Sequence, residues 1–130
     1  MQLYLVTTLP LACSSYTTIN DSTRSTSYTS SVGCDSTAFG SSGTWVRFTG
    51  VGGTQIPTSP PVTGTCGTSA PGWYNGSMPN ISATISGTVC YNWSGNTCNW
   101  HNAIQVTNCN SFYIYNLINV PVCSLRYCTI

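Results

Sequence analysis

Eight cysteines run through this 130-residue chain, at positions 13, 34, 66, 90, 98, 109, 123 and 128. An even set spread over a whole sequence reads as a disulfide framework, and disulfides persist only in oxidising compartments. The chain is therefore expected to be a single secreted, extracellular domain with about four cross-links. Each would contribute about 2–4 kcal/mol by restricting the unfolded chain. Zinc is the competing use of cysteine, but there is no Cys-x-x-Cys, only one His and no Glu. Structural zinc sites need close thiolate pairs, and calcium loops need clustered acids. No metal site is expected.

Charge narrows the function further. The charged side chains are Arg24, Arg47, Arg126, Asp21 and Asp35, which is 4% of the chain, against about 25% in ordinary domains. Neutralising phosphates takes clustered Lys and Arg, so nucleic acid and anionic membrane surfaces are unsuitable partners. No stretch is long enough to insert across a bilayer. Acid–base catalysis needs groups that titrate near the operating pH, and only His101, Asp21 and Asp35 are on offer. No nucleophile-elbow motif accompanies them. No catalytic residue and no cofactor is assigned. His101 reads as a partly buried structural residue beside Trp100, and Asp21 as part of a polar loop.

A chain this poor in charge must stay soluble by other means. Thirty-eight of its residues are Ser or Thr. Four N-glycosylation triplets begin at Asn20, Asn75, Asn80 and Asn92, and only some of them are expected to be used. The Pro/Thr-rich stretch at 54–65 is mucin-like in composition, with Thr54, Thr58, Ser59, Thr63 and Thr65 as candidate O-linked positions. Covalent glycans would supply solubility. Low charge repulsion equally permits self-association.

Periodicity predicts an all-β domain of mostly antiparallel strands and long loops. Residues 45–49 alternate, with Val46 and Phe48 opposite Trp45 and Arg47. Residues 81–89 alternate throughout, as a half-buried strand does. Residues 103–107 and 112–117 read as a hairpin around Cys109-Asn110-Ser111. No segment has a convincing helical period, and residues 14–31 read as a polar loop. The rings of Trp45, Trp73, Trp93, Trp100 and the tyrosines are expected chiefly to fill core. Trp73, Tyr74 and Tyr91 are the suggestive residues should a sugar-binding platform exist. Residues 1–12 are apolar like a signal-peptide remnant, but they lack a basic start and are interrupted by Thr7, Thr8 and Pro10. Leu3 and Leu5 lie on one side of the alternation, Tyr4 and Val6 on the other. Such a strand wants burial on both faces, either on its own domain (residues 13–130) or in a neighbouring subunit by strand addition.

The flanks of the cysteines carry a family pattern. Arg24-Ser-Thr, Trp45-Val-Arg-Phe-Thr-Gly, Cys66-Gly-Thr-Ser-Ala-Pro-Gly-Trp-Tyr-Asn-Gly-Ser, Cys90-Tyr-Asn-Trp-Ser-Gly, Cys98-Asn-Trp, Phe112-Tyr-Ile-Tyr-Asn-Leu and Cys123-Ser-Leu-Arg-Tyr-Cys128 occur in order. Together they make the chain resemble the eight-cysteine extracellular domain of the uromodulin and pancreatic zymogen-granule glycoprotein 2 type. The resemblance implies the pairs Cys13–Cys109, Cys34–Cys123, Cys66–Cys128 and Cys90–Cys98. In it, the triplet at Asn75 matches a glycosylation triplet of the family. Relatives of this type display high-mannose glycans that trap microbial lectins. The tract that carries the decoy glycan in uromodulin is here Tyr115-Asn116-Leu117-Ile118, without a triplet. The leading expectation is thus a glycosylated structural subunit of an extracellular assembly, a homopolymeric filament built by inserting residues 3–9 into the next copy. The alternative is a decoy or carbohydrate-binding module that presents glycans to microbial lectins.

Overall fold

The computed structural model describes residues 8–130. Seven strands appear among them: β1 (Thr17–Ile19), β2 (Thr44–Phe48), β3 (Ala70–Asn75), β4 (Thr84–Trp93), β5 (Asn96–Asn108), β6 (Tyr113–Leu117) and β7 (Leu125–Tyr127). The helical content of the described residues is two short 3-10 turns, Leu11–Ser14 and Ser22–Arg24. The domain is all-β, and among the described residues no helix is long and apolar enough to cross a membrane. One sheet holds all seven strands, in the order β1-β2-β6-β5-β4-β3-β7. The five central strands pair antiparallel, and the two outermost, β1 and β7, pair parallel to β2 and β3.

Alternation decides which face is buried. Val46 on β2 lies opposite Tyr115 on β6, and Tyr115 opposite Val106 on β5. On the same side, Val89 and Tyr91 of β4, Tyr74 of β3 and Tyr127 of β7 complete the core. The loops bring Phe39, Ile56 and Val120 over that face. Eight tyrosines would be an awkward filling if their hydroxyls went unpaired. The buried ones are satisfied: Tyr91 donates to Asn102 Oδ1 (2.6 Å), Tyr127 to the Ile118 carbonyl (2.7 Å) and Tyr74 to the Ser77 carbonyl (2.8 Å). Gly87 has a packing reason. A Cβ there would run into the Tyr74 ring and hydroxyl on the adjacent strand. The β4–β5 hairpin turns on Ser94-Gly95, both at positive φ, the two-residue geometry whose twist matches paired strands.

Four disulfides use all eight cysteines: Cys13–Cys109, Cys34–Cys123, Cys66–Cys128 and Cys90–Cys98. The first clamps the segment around Leu11–Ser14 against the far face of the sheet. There Ala12, Tyr16, Trp45, Phe112 and Ile114 form a second small apolar cluster.

The structure corrects several local expectations. Residues 14–31 are not simply a polar loop, for they contain β1 and the Ser22–Arg24 turn with its buried arginine. The alternating stretch at 81–89 does not begin as strand. The Ala83 N–H returns to the Asn80 carbonyl (2.9 Å) with Ser82 at positive φ, so Ile81 is left exposed and β4 starts at Thr84. His101 is exposed rather than partly buried. Its neighbour Trp100 takes the core-facing position of β5, and period two sends His101 to the other side.

Candidate functional site

Four of the five charged side chains meet in one place. Arg24 donates from Nη1 and Nη2 to the two carboxylate oxygens of Asp35, both at 2.8 Å, and from Nη1 to the Tyr127 carbonyl (3.1 Å). Asp35 Oδ2 also accepts from the Tyr127 N–H (2.9 Å). Asp21 caps the 3-10 turn by accepting from the Thr23 N–H and hydroxyl, and its other oxygen accepts from Arg126 Nη2 (2.8 Å). Arg126 in turn donates to Thr23 Oγ1 (2.8 Å) and the Cys66 carbonyl (3.0 Å). Burial raises the Asp21 carboxyl. The Thr23 hydrogen bonds and the charges of Arg126 and then Arg24 outweigh that and hold it below the ordinary range. Arg24, Asp35 and Arg126 are all buried. The network ties the Asp21–Arg24 segment to β7 and to the loop ending at Asp35. Both of its carboxylates are committed to arginines.

With three of those four charges buried, the exposed polar groups are chiefly hydroxyls and amides. Of the N-glycosylation triplets, Asn20, Asn75 and Asn80 are exposed. Asn75 ends β3 opposite Thr88, on the face away from the core. Its loop is fixed from below by the Tyr74–Ser77 hydrogen bond. Asn92 is only half exposed, and its Nδ2, the atom to which a glycan is joined, donates to the Pro61 carbonyl (2.9 Å). In the mucin-like stretch, Thr54, Thr58, Ser59 and Thr63 are exposed. Thr65 is not a suitable acceptor, because it is buried and its hydroxyl donates to the Val62 carbonyl (2.6 Å).

The suggested sugar platform does not assemble. Tyr74 and Tyr91 are fully buried core residues, and the half-buried Trp73 donates its ring N–H to the Thr97 carbonyl (2.8 Å). The assembly residues Leu3, Tyr4, Leu5 and Val6 lie outside the described residues. A different concavity, missed from the sequence, opens beside the second apolar cluster. It has a volume of about 390 Å³ and is lined in part by Arg47, Gln55, Asn110, Phe112 and Tyr113. Arg47 sits over Phe112, with its guanidinium carbon 3.7 Å from the ring centroid, and donates from Nη1 to the Tyr16 hydroxyl (3.0 Å). The available signal was arithmetic: three arginines face two aspartates.

A family model described as a uromodulin-like domain of the eight-cysteine type matches residues 46–129, from β2 to the last disulfide. The chain belongs to this family. It is 44% identical to mouse uromodulin over 120 residues, covering 90% of this chain and 18% of the relative. It is 40% identical to dog pancreatic secretory granule membrane major glycoprotein GP2 over 120 residues, covering 90% of this chain and 23% of the relative. The human GP2 glycoprotein is 37% identical over 121 residues, covering 91% and 22%. The chain thus spans less than a quarter of the length of these relatives.

Proposed function

We propose that this chain is a secreted, non-catalytic scaffold that carries glycans within an extracellular glycoprotein assembly. The arrangement that supports this reading most directly is the inward charge network. It pairs four of the five charges with one another and buries three of them, and it leaves exposed Asn20, Asn75 and Asn80, with Thr54, Thr58, Ser59 and Thr63, as the acceptors. The glycans would provide the hydration that charge does not, and they would be what microbial lectins meet. Two relatives being glycoproteins by name agrees with it. Treating the glycosylated chain with an endoglycosidase should abolish binding to a mannose-specific fimbrial adhesin and lower solubility. Undiminished adhesin binding after complete sugar removal would sink the display role.

Self-association through the N-terminus is a second reading, favoured by the exposure of Leu9 and Leu11 just before the Cys13–Cys109 clamp. In this reading Leu3, Tyr4, Leu5 and Val6 enter a sheet of the next copy. A head-to-tail contact of that kind does not close, so it yields a filament. Deleting residues 1–11 should convert any polymer to monomer by light scattering and negative-stain imaging, and polymers that survive the deletion would dismiss it.

A further inference from the structure

From the Arg47 cleft we infer a second, receptive site: a pocket for a carboxylate-bearing sugar, such as a sialic or uronic acid unit. Three observations combine. First, Arg47 is the charged side chain left over when Asp21, Asp35, Arg24 and Arg126 have paired, and no acidic side chain lines its cleft. Its cation has no counter-ion among the described residues.

Second, the guanidinium is held in place before any ligand arrives. Phe112 supports its face and Tyr16 fixes Nη1. That leaves the Nε–Nη2 edge, for which no partner occurs among the described residues. This edge can grip a planar carboxylate through two parallel hydrogen bonds, as the Nη1–Nη2 edge of Arg24 does with Asp35. Stacking and fixing the side chain in advance lowers the ordering cost of binding.

Third, the rest of the wall matches a polyol rather than a plain anion. The Gln55 and Asn110 amides and the Tyr113 hydroxyl line the cleft with no side-chain hydrogen-bond partner among the described residues. Their donors and acceptors suit sugar hydroxyls and an N-acetyl group, and Phe112 and Tyr113 provide ring surface for C–H faces. By contrast Asn108, in the same wall, is already committed to Pro79 and to the Asn110 N–H, so it frames the site without being free to bind. One lining residue, Thr54, is also a proposed O-glycan acceptor, so the site is tested on chain that carries no glycan there.

The test is an NMR titration of the full, isotope-labelled chain with N-acetylneuraminic acid, glucuronic acid, their methyl esters and galactose. The two acids should shift the Arg47 Nε–H and the Gln55 and Asn110 side-chain amides, with millimolar affinity. Esters and galactose should bind at least about tenfold more weakly, since a charge-assisted pair is lost. Arg47→Gln should abolish the difference between acid and ester. Because that change also removes a stacking contact, Gln55→Ala and Tyr113→Phe, on folded protein, should each weaken the acids while leaving the acid–ester difference. Equal shifts with acid and ester, or shifts that avoid the cleft, would overturn the assignment.

Discussion

Asp35 shows why a charge in this chain cannot be read as a solubilising group. Both of its oxygens bind Arg24, and Oδ2 also takes the Tyr127 N–H. Asp35→Asn keeps the shape but leaves the Arg24 guanidinium buried without its charge partner, a loss of about 3–5 kcal/mol. Asp21 is about one-third exposed, so water can compensate, and Asp21→Asn should cost distinctly less. Urea unfolding of the two variants would measure this, and equal losses would mean that the network is not partitioned by burial. The scarcity of charge was visible in the sequence, but the pairing was not. Arg24 and Asp35 are eleven residues apart, whereas Arg126 reaches Asp21 across 105. The triplet at Asn20 drew Asp21 into a reading of polar loop when its carboxylate in fact caps a turn.

Among the elements, the disulfides differ in what they restrain. Cys90–Cys98 closes a separation of 8 residues inside a hairpin that the β4–β5 ladder already holds, while Cys13–Cys109 spans 96 and joins the N-terminal segment to the end of the sheet. Loop-closure entropy gives about 2.6 kcal/mol for the short loop and about 4.7 kcal/mol for the long one. Replacing both cysteines of each pair by Ser should follow that order in thermal unfolding, with the Cys13/Cys109 variant losing the more. The reverse order would show that the hairpin, not the clamp, limits stability. Element existence was largely legible here. Val46 and Phe48 alternate inward as expected, and residues 103–107 and 112–117 do pair around Cys109. The lengths were harder. β5 runs for 13 residues to the Ser94-Gly95 turn, and a polar start such as Asn96-Thr97 has no hydrophobic period to announce it. β1 was invisible because three residues at a sheet edge need no pattern of their own when β2 supplies the hydrogen bonds.

At the scale of the whole molecule, the buried tyrosines and Asp21 set the pH range over which the fold persists. Burial raises the phenols of Tyr74, Tyr91, Tyr115 and Tyr127, with Tyr127 adding to the effect on Tyr91. A group whose pKa is raised by folding contributes fully below its unfolded value, near 10 for tyrosine, and the contribution fades as pH climbs above that. Asp21 works in the opposite sense. Its lowered pKa adds stability above the unfolded value of about 3.9, and that is lost as pH falls through and below it. Stability should therefore show an alkaline limb starting near pH 10 and an acid limb below about pH 4. Phenolate absorbance should rise in two stages, the second coinciding with loss of β-sheet circular dichroism. Ionisation of every tyrosine in one stage, with the sheet intact, would contradict the burial.

Composition, cysteine number and alternation by themselves determined that this is an all-β, disulfide-stapled domain, and the flanking residues placed it in the uromodulin-like family. Those properties are local or compositional, so each short stretch reports them on its own. Only the tertiary structure decided that Arg24 and Arg126 face inward while Arg47 is left over, that Tyr74 and Tyr91 are core, and that Thr65 is sealed while Asn75 is exposed. Burial and charge pairing depend on which distant strands become neighbours, and this sheet sets β2 beside β6 and β3 beside β7, pairs that no local stretch announces.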